Sequence, residues 1–203
     1  MDTRPVVHRG ETGTRGTAAA LLMGSGIVFL VGALMYTGRT FWAWPADDVY
    51  VAWERGFVIA GVLISVGGFA LIELLLRGAR VVIVPRLSLV TYFAGCIVLV
   101  SAEASNMFGR GLNTAQATLF VVLAIVAQMG FGVALIVSRI VSAWVGWAVI
   151  VWNVGTGVLL FAFSPSNVYI PFVHFVAPLL IGVTLLIRTK RAPVHEAERG
   201  MMT

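Results

Sequence analysis

The sequence predicts an all-α polytopic membrane protein, a bundle of six transmembrane helices with both termini cytoplasmic. Three observations predict it. Six apolar runs fill well over half of the 203-residue chain. Each is about 20 residues long, which matches a hydrocarbon core of roughly 30 Å at about 1.5 Å rise per residue. Charged residues make up only 11% of the chain and the mean hydropathy is +0.95, whereas a soluble domain carries about 25% charge. When six spans are threaded, eleven of the fourteen Lys and Arg residues fall on one side, and basic loops stay in the cytoplasm.

Residues 1–17, with Thr3, Arg4, Gly10, Gly13, Arg15 and Gly16, read as a short flexible cytoplasmic tail. The first span is Ala18–Thr37. Its apolar run exceeds the roughly 7–15 residues of a signal-peptide core, so it reads as a span rather than a cleaved leader. The following loop, Trp42–Glu54, carries Trp42, Trp44, Tyr50 and Trp53 around Asp47 and Asp48. Aromatic rings beside carboxylates suit the headgroup level of the outer interface. Pro45 and the two Asp residues exclude a seventh span, since an Asp at mid-bilayer costs about 3 kcal/mol. The same loop also fits as a lid over a cavity in the outer leaflet.

Span two is Phe57–Leu76 and span three Val81–Ser101, with Arg77, Arg80 and Arg86 about the short link. Glu73, one turn from the cytoplasmic end, has Arg77 at i+4 and Arg80 at i+7, the spacing of an interfacial ion pair. Span four is Ala115–Val137, span five Ile140–Phe163 and span six Val168–Ile187, and the tail 188–203 contains Pro193, which discourages helix extension. Short links make neighbouring spans antiparallel. Helix contacts should use small residues, because lipid supplies no hydrophobic drive for association. The candidates are Gly24, Gly26, Gly32, Gly61, Ser65, Gly67, Gly68, Gly130, Gly132, Gly155 and Gly157.

Polar groups at membrane depth are costly and are functional candidates by default. The neutral amide of Gln128 in span four is expected to find a backbone carbonyl. In the outer half, Glu103 and Asn106 end span three, while Asn153 and His174 sit roughly 10–15 Å below the outer surface at about 1.5 Å per residue. One outward-facing cavity lined by Glu103, Asn106, Asn153 and His174 and roofed by Trp42 and Trp44 is the candidate ligand site. Pro171 and Pro178 bracket His174 and would free carbonyls around it. His174 should point inward and meet Asn153 directly or through one water, because an imidazole in acyl chains leaves its nitrogens unpaired. The plainer alternative is that His174 and Asn153 only join helices by hydrogen bonds.

Several chemistries are excluded. Cys96 is the only cysteine, so no internal disulfide or CxxC pair exists. His174 is the only histidine in a span, which rules against an intramembrane zinc site and bis-histidine haem within one chain. The only lysine, Lys190, lies in the tail, so no retinal Schiff base forms in a helix. Phosphate-loop and nucleophile-elbow motifs are absent. The net charge of +5 sits at helix ends and tails rather than in a nucleic-acid patch. No catalytic residue or metal ligand is assigned, and no cofactor is specified.

Ser138-Arg139 leads into span five, followed by Trp144-Val-Gly146-Trp147 and Asn153-Val-Gly155-Thr-Gly157. Over about the last 70 residues this resembles small bacterial multi-span membrane proteins of unknown function, a resemblance that implies a six-helix architecture; a multi-pass place in the bacterial inner membrane is expected. Three functions remain open. One is a non-enzymatic accessory or assembly subunit, or a binder of a lipid-like ligand, with the bilayer and other membrane subunits or a second copy as partners. Another is a small oligomeric transporter or channel using Glu103, Asn153 and His174. The last is a membrane-embedded enzyme acting on an isoprenoid or quinone with Glu73 or Glu103 as general acid.

Overall fold

The computed structural model describes residues 9–44, 47–77, 82–108, 114–163 and 174–200. Among them are six helices: α1 Arg9–Phe41, α2 Asp48–Leu76, α3 Ile83–Met107, α4 Thr114–Ser138, α5 Ala143–Phe163 and α6 Val176–Gly200. Four stretches, Gly13–Phe41, Asp48–Leu76, Ile83–Met107 and Thr114–Ser138, are long and apolar enough to cross a membrane. Ala143–Leu159 and Val176–Thr189 are shorter apolar stretches. Pro45, Arg80, Arg110, the 164–168 connection and Pro171 lie outside the described residues.

The helices are longer than the apolar runs that announce them. α1 begins at Arg9, inside the segment read as a tail, and α6 continues through Pro193 to Gly200. Hydropathy finds where a chain is apolar, while backbone hydrogen bonding carries a helix on into polar flanks. Asp48–Glu54 likewise belongs to α2 rather than to a loop. Its start is set by Asp47, whose Oδ1 accepts from the Tyr50 N–H at 2.7 Å, satisfying one of the first-turn donors. The Tyr50 hydroxyl then donates to the Met35 carbonyl at 2.7 Å and ties α2 back to α1. Pro178 lies in the first turn of α6, where its missing N–H costs least.

Each helix packs against the next in sequence, and α6 returns to α1, closing a ring. The start of α1, the end of α2, the start of α3, the α4–α5 turn and the end of α6 share one end of this ring, the terminal end. Small residues set the close approaches. A Cβ on Gly26 would overlap Leu179, one on Gly68 would overlap Leu22, and Gly132 and Gly146 face each other across α4 and α5. At Gly24 and Gly155, read as interface residues, an added Cβ would meet no atom of a neighbouring helix within 4 Å. Arg188 of α6 clamps the α4–α5 turn, donating to the carbonyls of Arg139 at 3.1 Å and Ile140 at 3.0 Å.

The ring is apolar outside as well as inside. Leu63, Phe93, Ile97, Val126 and Val151 are all more than half exposed. Water would not tolerate so continuous an apolar girdle; lipid does. Its centre is aromatic: Phe69 stacks on Phe131 at 4.6 Å between ring centroids and meets Tyr92 edge-on at 4.9 Å.

Candidate functional site

The polar groups that the fold buries fall into three levels. At the terminal end, Glu73 of α2 is 4% exposed. It accepts from Arg77 one turn on and from Arg86 of α3, both at 3.1 Å. The i+4 partner is the one the spacing announced; the second is Arg86, supplied across the hairpin. Both guanidinium side chains are over half exposed, at 56% and 59%.

At the far end, Glu54 of α2 and Glu103 of α3 are both fully buried. Arg55 bridges them, reaching Glu103 Oε1 at 3.1 Å and Glu54 Oε1 at 3.8 Å. Arg39 of α1 adds a second contact to Glu54 at 3.0 Å. Glu103 therefore sits inside a neutral four-charge cluster spanning α1, α2 and α3. Glu54 closes the segment whose composition suits an interfacial loop, and Arg55 follows it. Their signal was present: Glu54, Val58, Gly61, Ser65, Gly68 and Ile72 repeat at alternating spacings of four and three, all on the buried face of α2.

The third level lies midway along the bundle. Ser25 of α1 donates to the Gly61 carbonyl at 2.9 Å. Ser65 gives its hydroxyl proton to the Val62 carbonyl at 2.7 Å, so the Tyr92 hydroxyl donates to Ser65 Oγ at 2.7 Å. The Gln128 amide lies beside the same Tyr92 hydroxyl and contacts His174 Nδ1 at 3.3 Å. An amide N–H donating to Nδ1 leaves the proton of the neutral imidazole on Nε2. The His174 ring is held between Phe120, at 4.8 Å, and Phe29, at 6.3 Å.

The six residues read as lining one cavity lie in two groups, with Glu103, Asn106, Trp42 and Trp44 toward the far end and Asn153 and His174 at mid-depth. Glu103 is some eleven residues beyond Tyr92 on α3, about 16 Å away along the axis. Asn106 is half-buried near the end of α3, its carbonyl accepting from Phe108 N–H. Trp42 and Trp44 are 56% and 44% exposed, and their rings lie 5.6 Å apart. Trp44 folds over Gly38 of its own α1 so closely that a Cβ there would overlap the ring. It covers a helix end, not Asn153 or His174.

His174 is fully buried and points inward, as the cost of a lipid-facing imidazole requires. Its partner is Gln128 rather than Asn153, and Gln128 finds this ring instead of a backbone carbonyl. Asn153, also fully buried, donates to the Val149 carbonyl of its own helix at 2.8 Å. It remains level with the pair. Gly132 meets Ile150 and Gly157 meets Ile125, so antiparallel register sets Asn153 opposite Gln128 and Met129. Pro178 has no N–H to offer the His174 carbonyl four residues earlier.

Among the described residues, five buried side-chain polar atoms have no hydrogen-bond partner. Two, Arg55 Nε and Glu103 Oε2, belong to the far-end cluster. The other three, Gln128 Oε1, Asn153 Oδ1 and His174 Nε2, all belong to the middle level. No group of three metal-ligating side chains occurs among the described residues.

Fold and site together define a class, an all-helical membrane protein with ion pairs at both ends and a neutral polar layer between. Comparison with family models, with curated proteins and with solved structures finds no match.

Proposed function

We propose that this chain is a six-span protein of the bacterial inner membrane, with both termini cytoplasmic, that has no catalytic chemistry of its own and works by holding a lipid-like molecule against its helices. Assembly with other membrane subunits is compatible with that role. One observation carries the reading: apolar clefts run along the seams between neighbouring helices. The α2–α3 seam forms a cleft of about 400 Å³ with Leu63, Phe93 and Ile97 on its walls, and α5–α6 forms one of about 390 Å³. These are lipid-chain dimensions, walled by hydrocarbon. The pairing of the carboxylates also disfavours the enzyme reading. Glu54, Glu73 and Glu103 are each held by at least one guanidinium, as ion pairs that tie the helix ends together.

Extraction from membranes in mild detergent, followed by native mass spectrometry and lipid analysis, tests the proposal. A lipid retained at a fixed ratio to the chain is the expected result. A monodisperse protein carrying neither lipid nor partner overturns it. A C-terminal reporter active only outside the cytoplasm overturns the orientation. The transporter reading draws its support from the three unpartnered atoms at mid-depth. Solute flux in proteoliposomes that is lost in His174→Ala would replace binding with transport.

A further inference from the structure

Three buried polar atoms without partners, on three elements at one level, are expensive. In hydrocarbon each costs several kcal/mol, because lipid offers nothing to bond to. The set has a definite hydrogen-bonding character. Gln128 Oε1 and Asn153 Oδ1 are acceptors, and His174 Nε2–H is a donor once Nδ1 is engaged by Gln128. The level also carries no charge to meet an ion. Glu73 lies eight residues from Ser65 along α2, about 12 Å, and Glu103 about 16 Å from Tyr92 along α3. A phosphate or ammonium group brought here would lose its hydration and find no counter-charge.

Asn153 itself lines a cleft on the α4–α5 seam. The cleft measures about 370 Å³ and is otherwise apolar, with Val126 and Met129 on one wall and Gly157 and Val158 on the other. Val126 and Val158 are 56% and 62% exposed, so this groove faces the surroundings of the bundle. An apolar groove thus reaches Asn153, which lies level with Gln128 and His174.

We propose that Gln128, Asn153 and His174 receive the head of a neutral, hydroxyl-bearing lipid whose chain lies in the α4–α5 cleft. A hydroxyl both accepts and donates. Its oxygen takes the His174 Nε2–H, and its proton goes to Asn153 Oδ1 or Gln128 Oε1. A prenol, a quinol and a diacylglycerol share this chemistry. The inference rests on the lipid-binding reading above and adds the site and the head group.

The test is photolabelling of the full-length chain in native membranes with a diazirine analogue of farnesol, the labelled peptides being mapped by mass spectrometry. Label is expected on residues 122–129 or 153–158, with farnesol competing about tenfold better than farnesyl methyl ether, the effect of one lost hydrogen-bond donor. Farnesyl phosphate should compete no better than the ether. Decyl hydroquinone and dioctanoylglycerol form the other arms, and whichever competes best identifies the source of the hydroxyl. Asn153→Leu and His174→Phe should each weaken labelling about tenfold. Val158→Trp, at an exposed wall position, should block it, while Gly155→Leu, outside this cleft, should not.

Equal competition by the ether, effective competition by the phosphate, or unchanged labelling of both Asn153→Leu and His174→Phe overturns the proposal. The competitor series needs no variant to fold. Label confined to the α2–α3 or α5–α6 cleft overturns this site yet leaves the lipid-binding reading standing. No label together with no retained lipid overturns both.

Discussion

The ends and the middle of this bundle treat buried polarity in opposite ways. At each end, charges are brought together until they cancel. Glu73 takes two arginines, and Arg39, Glu54, Arg55 and Glu103 close into a cluster without net charge. In the middle there are no ions among the described residues, only amides, hydroxyls and an imidazole, and three of their atoms have no partner. At the terminal end the arginines reach water, so a modest geometry suffices, whereas the far-end carboxylates are fully buried. Neutral groups at mid-depth must be matched one for one. The unmatched atoms of this level are the ones the proposed lipid hydroxyl would meet.

The two ends also differ from one another, and the largest expected effect tests that difference. Glu103→Gln leaves Arg55, 13% exposed, without its nearest carboxylate. Breaking a buried pair on one side costs about 3 kcal/mol, read as a clear fall in the thermal midpoint in detergent. Glu73→Gln strips two arginines that already reach solvent, and about 0.5 kcal/mol is expected. Equal losses from the two variants would mean that the far-end cluster is as well hydrated as the terminal one.

Within the middle level, satisfied and unsatisfied groups should respond with opposite signs. Tyr92→Phe removes the donor to Ser65 Oγ inside a fully buried contact, and a loss of about 1–2 kcal/mol is expected in the same unfolding assay. Asn153→Leu removes an unpartnered carbonyl oxygen, so the lipid-free protein should gain about 1 kcal/mol. A loss of stability there would show that Asn153 is already fully matched. The smallest effect concerns the α4–α5 turn, where Arg139 adopts a positive φ of 54°. Arg139→Gly relieves about 1 kcal/mol of left-handed strain, partly offset by the entropy a glycine adds to the unfolded chain. The net shift in midpoint should be slight and upward.

The sequence by itself determined that the chain is helical and apolar, with one histidine and no lysine in its expected spans. It also predicted the inward His174 and the Glu73–Arg77 pair, because both follow from energies local to one helix. The alternating spacing of Glu54, Gly61, Ser65 and Ile72 shows which face of α2 is buried. What no single helix contains is its rotation and axial register against its neighbours. Those come from many small approaches summed over each seam, such as Gly26 on Leu179 and Gly132 against Gly146. Only the tertiary structure therefore decided that His174 meets Gln128 rather than Asn153. The same register pairs Glu103 with Arg55 near the far end of the bundle, some 16 Å by helical rise from Tyr92. It also lays Trp44 on Gly38 instead of over a cavity. A shift of one turn along any seam would have produced a different set of meetings from the same helices.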